Sequence, residues 1–196
     1  MTPTNDSRRF VVLSGLPGSG KTWLARQLAP ALNLRLFDKD DILERLFESK
    51  GVGDAAWRRM LSRESDAILQ SEAAASDGGV LASFWRVPGM APDSGTPTDW
   101  LSPLSDRIVH LHCACEPEVA AARFVHRSRH PGHLDDASSY DEVLASLRAL
   151  SRLGLLEIGK RVEVDTSHQP DIDAVVREIH AAFGRHRRPP LATRST

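Results

Sequence analysis

Apolar positions along the chain follow two periods. Short strand-like segments stand at 10–13, 34–37, 79–84, 107–113 and 161–164, the first a continuous apolar run that ends near a glycine. Between them apolar residues recur at helical spacing. Leu24, Leu28 and Leu32 repeat every four residues within 21–32, predicting a helix whose last turn Pro30 distorts. Ile42, Leu43 and Leu46 mark a helix over 40–47, and Trp57, Leu61, Ile68 and Leu69 a longer one over 54–75. Pro117 is placed to open a helix after the fourth strand. Ser139 and Glu142 have capping-box spacing and open a helix that runs to Leu150. A last amphipathic helix covers 172–183.

Five strands alternating with helices predict an α/β fold of three layers, a five-stranded parallel sheet with helices on both faces. The irregular stretch 87–103 holds most of the mid-chain Pro and Gly. A loop of that length in a compact domain is more often functional than accidental. One domain over 1–184 is expected, followed by an Arg- and Pro-rich tail, 185–196, read as disordered.

Composition narrows the picture. A chain of 196 residues suits one α/β domain. At 41% hydrophobic and 26% charged it has the balance of an ordinary globular protein, and its net charge of -1 gives no overall affinity for polyanions. No apolar run reaches bilayer length, and polar residues 1–9 do not form a secretory signal. Cys113 and Cys115 are too close in sequence for a stabilising disulfide. Together these features lead to an expectation of a reduced, cytoplasmic protein without membrane contact; oligomeric state is not readable.

The strongest chemical signal is Gly15-Leu16-Pro17-Gly18-Ser19-Gly20-Lys21-Thr22. It matches G-x-x-x-x-G-K-[ST] at every fixed position, after a strand and at the start of a helix. Glycines let successive backbone N–H groups turn inward around a phosphate, and the helix start adds unpaired donors. Lys21 then reaches the β- and γ-phosphates and the Thr22 hydroxyl ligates Mg²⁺. Pro17 and Ser19 within the loop and Trp23 beside it are counted with the nucleotide-binding residues. No Asn-Lys-x-Asp guanine motif is present, which favours ATP.

Asp38-Lys39-Asp40-Asp41 follows the second strand. A carboxylate there faces the edge of the sheet where ligands bind in open α/β folds. Asp40 is the candidate base for an attacking hydroxyl; the plainer alternative is that Asp40 or Asp41 caps the helix. Further along, Arg123, Arg127 and Arg129 form a basic cluster, with Arg123 and Arg127 one helical turn apart.

The loop, the Asp-x-Asp and the arginine cluster resemble the small P-loop kinases. These include shikimate and gluconate kinases, polynucleotide 5′-hydroxyl kinases, chloramphenicol phosphotransferase and zeta-toxin-like kinases, of AAA-type ATP-binding fold. The resemblance spans about residues 9–183. It implies a P-loop NTPase fold with an Arg-rich lid in which Arg127 and Arg129 neutralise charge on the transferred phosphoryl group. Arg123 is either a nucleotide contact or structural. It implies that Asp40 contacts and deprotonates the acceptor and that Asp38 stands near Mg²⁺ or the substrate. Asp165 and Thr166, after the fifth strand, would lie beside the adenine ring, or else serve as turn and cap. Many such kinases end the third strand with an Asp that holds the metal's water shell; here Ser83 stands in its place, and Asp38 is the substitute carboxylate.

His110, His112, Cys113 and Cys115 suggest a metal cluster at first sight. On a strand Cys113 points away from the two histidines, and the spacing fits no usual zinc pattern. Trp85 and Trp100 flank the long loop as lining or as anchors, and Arg58, Arg59 and Arg86 are candidates for an anionic acceptor or are solvated. The function expected is ATP-dependent phosphorylation of a hydroxyl on a small molecule. The alternatives are a polynucleotide 5′-hydroxyl kinase and an ATP-binding switch that transfers nothing.

Overall fold

Val11 and Leu13 face one side of the first strand and Phe10 and Val12 the other, and all four are fully buried. That single strand therefore needs a helical layer on each face. The computed structural model describes residues 8–128, 130–134 and 139–184. It contains strands β1 (Arg9–Gly15), β2 (Leu36–Asp38), β3 (Gly78–Ala82), β4 (Arg107–Ala114) and β5 (Lys160–Asp165). They form one parallel sheet in the order β2-β3-β1-β4-β5.

Helices α1 (Lys21–Ala31) and α6 (Ile172–Gly184) cover one face. Leu24, Leu28, Val175 and Ile179 meet Val11, Leu13, Val109 and Leu111 there. Each such side chain, removed from water, contributes about 1.5–3 kcal/mol before the entropy of ordering it. Helix α3 (Ala55–Ala74) lies on the other face, with Leu69 and Ala73 against Phe10, Val12 and Leu81. Helix α2 (Lys39–Lys50) joins α3 through Leu43, Leu46, Phe47 and Leu61. Helices α4 (Pro117–His126) and α5 (Tyr140–Leu150) pack on each other through Ala120, Ala121, Val143 and Leu147, with Leu16 against them. The Ser139–Glu142 capping box is present in both directions.

The differences from the sequence reading have local causes. Pro30 sits inside α1, which ends one residue later at Ala31; the chain turns at Asn33, φ 53°. Helix α2 starts at Lys39 and runs three residues beyond the expected end, to a Gly51 with positive φ. Strand β3 stops at Ala82 rather than 84 because Phe84 leaves the ladder to bond the Thr96 amide through its carbonyl, at 2.8 Å. The long loop is pinned rather than free: Arg86 N–H bonds Thr96 O, and the Arg86 guanidinium holds Ser94 and Gly95 carbonyls. Trp85 is not substrate lining. It is 2% exposed, and its indole N–H donates to Leu13 O at 2.7 Å. Trp100 stands 6.0 Å from it, ring to ring, and bonds Pro97 O. The tail 185–196 lies outside the described residues. Among the described residues no helix is long and apolar enough to cross a membrane.

Candidate active site

The loop between β1 and α1 has the backbone its glycines were read to permit. Gly18 has φ 81°, and a Cβ there would collide with the Ala120 carbonyl. Gly20 is the N-cap of α1 at φ 89°, where space is open and only the conformation requires glycine. Helix α1 has no side-chain cap and no acid in its first turn, so its first N–H groups and its dipole face the loop unopposed. The Ser19 hydroxyl is buried there without a hydrogen-bond partner. Lys21 Nζ folds back onto Gly15 O at 2.9 Å and Leu16 O at 2.7 Å. Burial pulls its pKa below the ordinary lysine value; Cys113, Asp40 and Asp38 oppose that shift. An arriving phosphate would offer this ammonium better acceptors than two carbonyls.

The three acids at the junction of β2 and α2 make separate contacts. Asp38, 4% exposed, caps α2: its Oδ1 accepts the Asp40 N–H at 2.9 Å. The cap is thus Asp38, two residues before the first of the two acids read as alternatives, because the helix begins at Lys39. Asp38 Oδ2 is buried without a hydrogen-bond partner. Burial, then the neighbouring Asp40, raises the Asp38 pKa to about 6, and the Thr22 hydroxyl beside it works against the rise. Asp41 pairs with Arg26 at 2.8 Å on the surface. Asp40 lines the cleft. Lys39, between them, is tied to Asp66 of α3 at 2.6 Å, with both side chains mostly buried.

A magnesium ion fits this donor set. Thr22 offers a hydroxyl and Asp38 a buried, unsatisfied carboxylate oxygen, the hard oxygen ligands that ion prefers. Ser83 is 7% exposed and its hydroxyl is committed to Thr96 at 2.6 Å. A zinc cluster is not formed: among the described residues no three His, Cys, Asp or Glu converge on a metal position. His110 and His112 instead share the Ser14 hydroxyl, at 2.6 and 3.0 Å.

The arginines do not act as one helical face. Helix α4 ends at His126, so Arg127 sits at its C-cap in extended conformation, over the Phe124 ring at 4.0 Å, and lines the cleft. Arg123 turns the other way and bonds Thr166 O at 2.6 Å and Ser167 O at 2.8 Å, joining α4 to the turn after β5. Arg129 lies outside the described residues.

Two cavities meet at the loop. One, of about 1010 Å³, runs from Lys21, Thr22 and Asp40 to α3 and the long loop. The other, about 340 Å³, lies between Trp23, Arg123, Thr166 and Pro170. Thr166 is anchored through its N–H and hydroxyl to Ala114 O. Asp165 is outside that cavity's lining: its carboxylate accepts the Ser167 N–H, which holds its pKa below the ordinary range.

The AAA domain family model matches residues 10–150. The chain belongs to the AAA domain family. A shikimate kinase of Corynebacterium jeikeium is 42% identical to this AAA domain protein over 73 residues, 34% of the chain and 37% of the relative. The chain spans less than half the length of the curated relatives it matches. A Chloroflexus aurantiacus protein of known structure, assigned as a kinase, is 27% identical with TM-score 0.75, covering 90% of this chain and 99% of its own. A shikimate kinase structure from Bacteroides thetaiotaomicron, 18% identical, covers 90% and 98% with TM-score 0.57. The fold of this AAA domain protein is therefore that of the small P-loop kinases.

The structure adds residues to the site that were not read from sequence. Arg63, Ser62 and Asp66 of α3 line the larger cavity beside Arg58 and Arg59, and Pro92 to Gly95 bring the long loop onto it. Gln169 and Pro170 line the smaller one. The signal for the α3 group was available: Arg59 and Arg63 are four apart, on one helical face.

Proposed function

We propose that this AAA domain protein transfers the γ-phosphoryl group of ATP to a hydroxyl of a small, negatively charged acceptor. The observation that carries the reading is the single cleft in which Lys21, Thr22 and Asp40 face Arg58, Arg59 and Arg63. None of these three arginines has an ion-pair partner among the described residues, and Arg58 Nε is buried without a hydrogen bond. Guanidinium groups left so in a cleft favour a carboxylate or phosphate there. The relatives named shikimate kinase support a small-molecule acceptor.

In this reading the triphosphate lies along the loop under Lys21 and Arg127, and the base occupies the smaller cavity. Asp40 accepts the proton as the acceptor oxygen attacks the γ-phosphorus; the bond to the bridging β-γ oxygen breaks and ADP departs. Thr22 and Asp38 would hold Mg²⁺, which when bound neutralises charge on the β- and γ-phosphates. Arg127 offsets charge on the transferred group.

The test is transfer from γ-labelled ATP·Mg²⁺ to a panel of hydroxy acids, sugar phosphates, neutral sugars, nucleosides and 5′-hydroxyl oligonucleotides. Label on an anionic small molecule, lost in Asp40→Asn, is the expected result. Label on oligonucleotides alone would replace this reading with a polynucleotide kinase. ATP binding with no labelled product across the panel would favour a nucleotide switch.

A further inference from the structure

Residues 130–134, which follow α4, are seated on α2. His130 stacks on the Phe47 ring, centroids 5.3 Å apart and planes 11° from parallel. His133 meets the same ring edge-on at 5.6 Å, 85° between planes. Between them Gly132 is buried flat against it, where an added Cβ would stand 2.6 Å from ring carbons. The His133 side chain is 1% exposed, and its Nε2 lies 3.0 Å from Glu44 Oε1. The 3-10 turn Pro131–His133 is closed by Gly132 N–H to His130 Nδ1 at 3.2 Å and by Leu134, φ 57°, whose N–H reaches Pro131 O at 3.1 Å.

The receiving surface follows from helical spacing. Glu44 and Phe47 stand four and seven residues after Asp40, on the face of α2 that carries Asp40. Arg127 lies three residues before His130, at most about 11 Å of extended chain. Seating His130 on Phe47 therefore restricts where the Arg127 guanidinium can stand over the cleft.

We infer that the turn Pro131–His133 is a latch, and that His133, Glu44 and Phe47 are positioning residues that fix Arg127 relative to Asp40. The latch itself rests on packing alone. Its catalytic consequence rests on the phosphotransfer reading above. Phe47 also belongs to the cluster joining α2 and α3, so the informative substitutions are His133→Ala, which removes the buried partner of Glu44, and Gly132→Ala, which wedges the turn off the ring.

The experiment is backbone amide hydrogen exchange of the full chain, read at residue 130 and at 132–134, for wild type and both variants. Each variant should exchange there about tenfold faster or more, with β1 and α1 unchanged. Unchanged exchange at these positions in both variants would overturn the latch, and this readout needs no acceptor. For the positioning role, His133→Ala should lower kcat about tenfold with little change in the KM for ATP, and should cost nothing further in an Arg127→Ala background. Additive losses in the double variant would overturn that role while leaving the latch standing. A wild type that transfers no phosphate to any acceptor would overturn the catalytic half together with the proposed function, and the exchange result would still decide the latch.

Discussion

Asp38 holds the amide of Asp40: the carboxylate that ends β2 accepts the Asp40 N–H at 2.9 Å while its other oxygen is buried without a hydrogen-bond partner. One side chain thereby fixes the helix bearing the candidate base and, in the proposed function, would offer its remaining oxygen to Mg²⁺. This splits the Asp-x-Asp pair into two separable functions. Substitution at Asp40 leaves the cap in place. Replacing Asp38 by a residue without a side-chain oxygen would remove the cap and the charge together, whereas Asn would remove the charge alone.

Asp40→Asn should therefore be a clean test of the base. The amide keeps its backbone N–H to Asp38 and changes little in shape. Turnover should fall by about 10²-fold or more, with the dissociation constant for ATP within about twofold of wild type. Isothermal titration gives the second number and labelled transfer the first. Wild-type turnover in the Asn variant would remove Asp40 from the chemistry.

Asp38 makes a prediction about pH. Its folded pKa of about 6 lies above the ordinary 3.8, chiefly because it is buried. Below about pH 4 both folded and unfolded chains hold the proton, and the group has no effect. Between about 4 and 6 the unfolded chain ionises first, so the folded state loses stability as pH rises. Above about 6 the cost is full, at most about 3 kcal/mol. His110 runs the other way: its pKa is lowered to about 4 by burial first, then by His112, so its contribution is full above about 6.5 and is lost as pH falls. Raw stability curves mix the two. The difference between Asp38→Asn and wild type isolates the first, since Asn still offers an oxygen to the Asp40 amide. Urea melts without nucleotide or metal should show the variant more stable at pH 7.5 and equal to wild type near pH 4. A variant no more stable at pH 7.5 would show that the Asp38 charge is solvated or paired after all.

The two cysteines should differ in reactivity. Cys113 is buried on β4, and burial pushes its thiol up to about 12, although Lys21 pulls the other way. Cys115 is half-exposed at the end of the same segment. A disulfide-exchange reagent should titrate one thiol in the native chain and two in denaturant. Two fast thiols under native conditions would mean that the β1–β4 region opens readily.

What could be read from sequence was what is encoded locally. The loop 15–22 is a contiguous motif whose backbone follows from its own glycines, and the five strands announce themselves as short segments rich in apolar and β-branched residues. Capping was legible at Ser139 and Glu142 and misplaced at Asp38, because the helix start there shifts by one residue, a matter of how β2 hands over to α2. Roles that depend on distant segments were not legible. His133 meets Glu44 across 89 positions, Lys39 meets Asp66, and Trp85 meets Leu13 across 72. No pattern within either partner's own segment carries those pairings. They arise only when α2, α3 and the segments beside them are stacked on one sheet.

Trp85 is the position where the two readings give opposite results. Leu13 is the last β1 residue paired to β3, so its carbonyl emerges beyond the ladder into the core, where the Trp85 indole N–H satisfies it. Trp85→Phe keeps most of the apolar area and deletes that donor, leaving a buried carbonyl unpaired. The expected cost is about 1–3 kcal/mol, with a further loss for the smaller ring. Because the indole is sealed under the long loop and the Ser83–Thr96 hydrogen bond closes over the same turn, the acceptor's KM should not move. Denaturant unfolding measures the cost and steady-state kinetics the KM. A rise in acceptor KM without loss of stability would return Trp85 to the wall of the substrate cleft and contradict the geometry described for it.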